Sequence, residues 1–235
     1  MKDRVTHPLM TEFDSEEALA EGVARSIAET IREAVKARGH ASLALSGGST
    51  PQKALRKLAM MTLPWPQVTI TLVDDRWVAP SLPRSNQGML MKVLLHDAPA
   101  ARFVPLFTGD ADPYAGAPRV EAALKGVPRP FDLVLLGMGT DGHTASLFPG
   151  GDTLKDAMDM TSGRRVAAMT APDALEARIT LTLPAILDTR HILLLFAGAE
   201  KRATYKKALE KGPVEEMPVR AILRQTEVPV DVYCA

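Results

Sequence analysis

The chain has 235 residues, 46% of them hydrophobic and 24% charged, the mixture of a folded globular protein rather than a disordered or fibrous one. Its 28 basic residues balance its 28 acidic ones, so no global field gathers nucleic acid or an anionic membrane, and any anion must be recognised locally. The lone cysteine, Cys234, excludes an internal disulfide and a multi-cysteine zinc site and fits a reducing compartment.

The segment from Met1 to Phe13 mixes Lys2, Asp3, Arg4 and His7 with apolar residues and lacks the apolar block of a secretory leader. No apolar run approaches the roughly 20 residues that span a bilayer, so a cytoplasmic protein without a membrane partner is expected. With no repeat, low-complexity tract or linker, residues 1–235 are read as a single domain.

Apolar residues at helical spacing (Leu19, Val23, Ile27, Ile31, Val35) predict a helix between Asp14 and Gly39, with Asp14 and Glu17 as a capping box and Gly39 as its stop. A short strand, Ser42 to Leu45, runs into the glycine loop Ser46-Gly47-Gly48-Ser49-Thr50-Pro51, and a helix follows to about Met61. The unit recurs. Val68 to Val73 predicts a strand, Asp74-Asp75-Arg76 a polar loop, and Ser85 or Asn86 the cap of a helix reaching His96. Further strands are expected at Arg102–Leu106, Phe131–Leu136, Arg165–Met169, Ile179–Leu183, Ile192–Phe196 and Val230–Tyr233. Helices are expected around Arg119–Lys125, Pro184–Leu187 and Glu200–Lys211. Strands alternating with helices argue for an α/β fold with a mostly parallel sheet and helices on both faces. In such sheets ligands sit beyond the carboxyl ends of the strands.

Three loops at those ends carry polar chemistry. In Ser46–Pro51, Gly47 and Gly48 let backbone approach a ligand while the next helix aims free N–H groups at it, an arrangement suited to phosphate. A plain tight turn capped by Ser49 or Thr50 is the bland alternative. The string is neither a Walker loop nor a Gly-x-Ser-x-Gly elbow, so a nucleophilic Ser49 is not expected. Asp74-Asp75-Arg76 offers carboxylates and a guanidinium, or simply a solvated charged loop.

The third loop, Gly137-Met138-Gly139-Thr140-Asp141-Gly142-His143-Thr144-Ala145-Ser146, contains a formal G-x-G-x-x-G. A dinucleotide site is disfavoured, because Pro149-Gly150-Gly151 leaves room for little helix and no acidic residue ends the strand near Arg165–Met169. The loop instead puts an imidazole two residues from a carboxylate. An imidazole with its ordinary pKa of about 6.5 can take a proton from water and return it near neutral pH, with Asp141 to orient it; bracing of the loop by His143 is the alternative. Arg178 and Lys201, each taken alone, read as surface charges, and Lys206-Lys207 as a solvated helix face. No metal site is expected, since Asp141 and His143 supply only two ligands. His7, His40, His96 and His191 lack motif context.

Taken together, Leu45–Pro51, Val73–Arg76, Ser85-Asn86, Gly137–Pro149 and Arg178–Thr182 resemble the 6-phosphogluconolactonase family. The resemblance implies a modified Rossmann-like, three-layer fold shared with glucosamine-6-phosphate isomerases and deaminases. It also implies cofactor-free hydrolysis of a phosphorylated sugar lactone, the second step of the pentose phosphate pathway. It assigns the phosphate to Ser46, Gly47, Gly48, Ser49, Thr50, Arg178 and Lys201, turns Arg76 toward the substrate, makes His143 the base with Asp141 beside it, and puts Asp74 at the sugar end. The related deaminases carry a glutamate where this chain has Phe148, which weighs against an aldose–ketose isomerase or deaminase. Departures from the family pattern fall at Asp75, Gln87 and the ending Tyr233-Cys234-Ala235. A non-catalytic sugar-phosphate sensor is the rival from another class, and a monomer or small homo-oligomer is expected.

Overall fold

The computed structural model describes residues 8–172 and 174–235; the first seven residues, with Lys2, Asp3, Arg4 and His7, and Asp173 lie outside the described part. A short strand β1 (Leu9–Glu12) precedes helix α1 (Glu16–Arg38). The α1 cap is Ser15, whose hydroxyl accepts from the Ala18 N–H at 3.1 Å. The expected Asp14–Glu17 box is therefore replaced by a simple Ser15 cap, the chain turning helical only at Glu16 and the third helical residue being Ala18, which has no side-chain acceptor to complete a box. Gly39, with φ 77°, ends the helix in the left-handed conformation. Leu19, Val23, Ile27 and Ile31 form a fully buried stripe along it, each side chain contributing about 1.5–3 kcal/mol of transfer free energy.

The chain continues through β2 (Ala41–Leu45), α2 (Ser49–Ala59), β3 (Val68–Leu72), β4 (Asp74–Arg76) and α3 (Asn86–Leu90), which passes into a π-helical turn at Met91–Leu95. Then come β5 (Arg102–Val104), α4 (Pro113–Leu124), β6 (Leu133–Gly137), α5 (Leu154–Met158), β7 (Val166–Met169) and β8 (Arg178–Leu181). The chain closes with α6 (Leu183–Leu187), β9 (Ile192–Phe196), α7 (Ala199–Leu209), α8 (Val219–Arg224) and β10 (Val230–Cys234).

Seven strands form one sheet in the order β1-β10-β9-β6-β2-β3-β5, parallel throughout. Every residue of β2, β3 and β9 is buried, as a sheet covered on both faces requires. The mostly parallel α/β fold is thus as expected. A second, three-stranded antiparallel sheet, β4-β8-β7, is an addition. Val73 joins the two: its N–H donates to Leu45 of the large sheet at 3.0 Å, and its carbonyl accepts from Leu181 of the small one at 2.8 Å.

Several local expectations need correction. Asp74-Asp75-Arg76 is a strand rather than a polar loop, because antiparallel pairing with β8 overrides the low strand preference of two aspartates. Helix α4 begins at Pro113, capped by Asp112 through the Ala115 N–H at 2.8 Å; Pro118 inside it reads as a break and hid its first turn. Strand β8 starts at Arg178 and stops at Leu181, since Thr182 already caps α6. The elements β1, α5 and α8 are additions to the expected order. No helix among the described residues is long and apolar enough to cross a membrane.

Candidate active site

From β2 the chain adds β3 and β5 on one side, whereas β6, β9, β10 and β1 extend the sheet on the other. The strand order therefore reverses between β2 and β6, paired through Leu43 with Leu133 and Ala44 with Val134. A crevice opens beyond the strand ends at such a point. Here the loops leaving these two strands are Ser46–Gly48 and Met138–Pro149, and β3 and β9, on either side, lead to Asp74 and to α7.

Gly48, not Ser49 or Thr50, is the N-cap of α2, and no side chain bonds to the helix start. The N–H groups of Ser49 and Thr50 in the first turn are thereby left for a ligand. Gly198 plays the same part for α7, again without a side-chain cap, and Lys201 lies in that first turn. Gly47 meets a separate demand: a Cβ there would stand 2.0 Å from Asn86 Oδ1, so only glycine lets the Asn86 amide lie against the loop.

The histidine loop is tied down internally. Gly139 N–H donates to the His143 carbonyl at 2.9 Å, Thr144 Oγ1 donates to the Gly137 carbonyl at 2.8 Å, and Val219 N–H donates to the Gly142 carbonyl at 2.9 Å. His143 Nδ1 lies 2.6 Å from Asp141 Oδ1, which also accepts the His143 backbone N–H at 3.1 Å. With Nδ1 engaged by a carboxylate, Nε2 is the ring nitrogen left to exchange a proton. Burial opposes ionisation of Asp141, but the hydrogen bonds and charge of His143 outweigh it and hold the carboxyl below the usual range. A Cβ on Gly139 would fall 2.2 Å from the imidazole. The Phe148 ring packs 4.3 Å from the imidazole, centroid to centroid, at 37°, and the Arg178 guanidinium sits 5.3 Å from the centre of the same ring. Ala145 adopts φ 50°, a left-handed conformation that costs a non-glycine residue about 1–3 kcal/mol and is characteristic of functional loops.

The small sheet supplies buried charge. Asp74, buried, accepts from Ser146 Oγ at 2.5 Å and stands 4.0 Å from Arg178 Nη1. Arg178 is only 8% exposed, so the surface-charge reading is wrong for it; burial lowers its pKa, partly offset by Asp74. Asp75 is fully buried and does not point into the cavity. Its carboxylate accepts the backbone N–H groups of Arg76, Asn86 and Gln87 at 2.8, 2.7 and 2.9 Å. Burial pushes its carboxyl up to about 6 against those bonds. The effect is to plug the start of α3 onto β4, where Asn86 donates to the Asp74 carbonyl at 3.0 Å and accepts from Arg76 Nη1 at 3.2 Å.

A cavity of about 320 Å³ is lined by Ser46–Pro51, Asp74, Arg76, Asn86, His143, Phe148, Arg178 and Lys201. All the expected site residues meet there except Asp141, which stands behind His143. Arg76 Nε is buried and has no partner among the described residues, a donor available to a ligand. Asn86 and Asp75 were missed as site residues. Asn86 reads in the sequence as a helix start and as part of the motif shared with the family, without a site role; nothing in the sequence marks it or Asp75 as buried.

The sequence profile of the family described as "Glucosamine-6-phosphate isomerases/6-phosphogluconolactonase" matches residues 14–230. A protein named 6-phosphogluconolactonase from Rhizobium meliloti (strain 1021) is 42% identical over 224 residues, covering 95% of this chain and 97% of that one. A crystal structure of a 6-phosphogluconolactonase from Shewanella baltica OS155 superposes with a TM-score of 0.95 at 41% identity, covering 98% of each chain. A monomeric glucosamine-6-phosphate deaminase has a TM-score of 0.80 at 23% identity, covering 96% of each chain, a likeness of fold alone. The chain belongs to the glucosamine-6-phosphate isomerase/6-phosphogluconolactonase family.

Proposed function

We propose that this chain hydrolyses 6-phospho-D-glucono-1,5-lactone to 6-phosphogluconate, acting as a single catalytic domain in the cytoplasm. The observation that carries the reading is that the anion-binding loop Ser46–Thr50 and the imidazole of His143 line one cavity, with Arg76, Arg178 and Lys201. The phosphate is held by the α2 start with Arg178 and Lys201. Cationic help is needed, because a helix N-terminus alone favours an anion by only about 0.3–2 kcal/mol.

The lactone ring then lies toward His143, whose Nε2 removes a proton from water as the oxygen attacks C1. The carbonyl oxygen becomes an oxyanion facing the cavity's donors, of which Arg76 Nε is unpartnered. Collapse breaks the bond from C1 to the ring oxygen, and the imidazolium returns its proton to that oxygen, which leaves as the C5 hydroxyl. Asp141 holds the ring and stabilises the transient imidazolium. Water and imidazole suffice for the step, with neither cofactor nor metal.

The test generates the lactone in place with glucose-6-phosphate dehydrogenase and follows its loss with and without the protein. Loss well above the spontaneous rate is expected. A rate equal to the blank with retained binding of 6-phosphogluconate would make the chain a sensor, and ammonia release from glucosamine 6-phosphate would make it a deaminase.

A further inference from the structure

The register of β4 and β8 sets Arg76 directly opposite Arg178. Like charges opposed on an antiparallel pair repel, and long side chains gain entropy by splaying into solvent. Both guanidinium groups are instead tethered. Arg76 donates from Nη1 to the Arg84 carbonyl at 2.7 Å, and Arg178 donates from Nε to the Glu176 carbonyl at 3.3 Å.

The two residues that provide those carbonyls are joined through their own side chains. Arg84 Nη2 lies 2.7 Å from Glu176 Oε2, and Arg84 Nε meets Oε1 of the same carboxylate. Two parallel prongs fix orientation as well as distance. Arg76, Arg84, Glu176 and Arg178 thus close a ring through two carbonyl tethers, one ion pair and one strand register. Arg76 and Arg178 line the cavity, whereas Arg84 and Glu176 do not.

We infer that the Arg84–Glu176 pair is a clasp that sets the spacing of the two cavity guanidinium groups, tuning affinity for the phosphorylated substrate without touching it. This rests on the hydrolytic reading above. Arg84 and Glu176 are positioning residues, and their removal loosens ground-state binding while leaving His143 and Asp141 undisturbed.

The experiment compares wild type, Arg84→Ala, Glu176→Ala, the double alanine variant and the charge exchange Arg84→Glu with Glu176→Arg. Lactone turnover gives kcat and KM, and calorimetric titration gives the Kd of 6-phosphogluconate. Each single alanine variant is expected to raise KM and Kd about fivefold with kcat essentially unchanged. The double variant should lose about the same factor rather than its square, because both substitutions remove one interaction, and the charge exchange should recover most of the loss. Unchanged KM and Kd in the single variants, or losses that multiply in the double variant, would overturn the clasp. A wild-type chain no faster than the blank overturns the hydrolytic reading instead, and the Kd values alone then decide the clasp.

Discussion

The two sheets contribute to the site in opposite ways. The large parallel sheet keeps its central strands β2, β6 and β9 almost wholly apolar, and their polar residues gather where they end, at Ser46–Thr50, at the His143 loop and at the start of α7. The small antiparallel sheet carries Asp74, Asp75, Arg76 and Arg178 within its strands, and three of these four are buried. On the proposed reading the first side supplies the imidazole and the backbone N–H groups of the α2 start, while the second adds fixed cationic charge, so the phosphate is gripped from both sheets. Buried charges are costly unless paired or hydrogen-bonded, and both carboxylates of β4 are hydrogen-bonded.

Replacing His143 tests the contrast where its effect is largest. His143→Ala should lower kcat by about 10²–10⁴-fold while the Kd of 6-phosphogluconate stays near the wild-type value, since the proposed phosphate groups at Ser46–Thr50, Arg178 and Lys201 are untouched. Near-normal turnover would remove His143 from the base role.

The counterpart on the small sheet is a cost in stability. The Asp75 carboxyl holds its proton more tightly folded than unfolded, its pKa being pushed up to about 6 by burial. The folded state therefore binds more protons between about pH 4 and 6, and stability falls as pH rises through that window, by about 3 kcal/mol in all. Denaturant unfolding of wild type and Asp75→Asn across this range should give curves that differ in slope by that contribution. Parallel curves would mean that Asp75 ionises without penalty.

The same division decided what could be read in advance. Ile192–Phe196 is legible to the residue, and the glycine and histidine loops are legible at the ends of β2 and β6, because apolar runs bounded by polar or glycine-rich segments are local signals. The charged strands left no such trace. Asp74-Asp75-Arg76 is a strand only because β8 pairs with it, and Arg178 is buried only because the small sheet folds over the cavity; both are tertiary facts. The resemblance to known lactonases named these residues without supplying that reason.

Two smaller effects separate orientation from grip. Gly139→Ala puts a methyl group 2.2 Å from the imidazole, and a displacement on the order of 1 Å costs about 10²-fold in kcat, so turnover should fall with binding retained. Arg178→Ala should do the reverse. It removes a buried cation that lines the cavity and leaves the His143–Asp141 pair in place, so KM and the Kd of 6-phosphogluconate should rise about 30-fold, the scale of one hydrogen bond to a charged group, with kcat changed far less. Loss of the Arg178 charge also leaves Asp74 supported by Ser146 and Asn86 alone. If the fall appears in kcat rather than KM, Arg178 acts on the transition state, and its proposed part in gripping the phosphate fails.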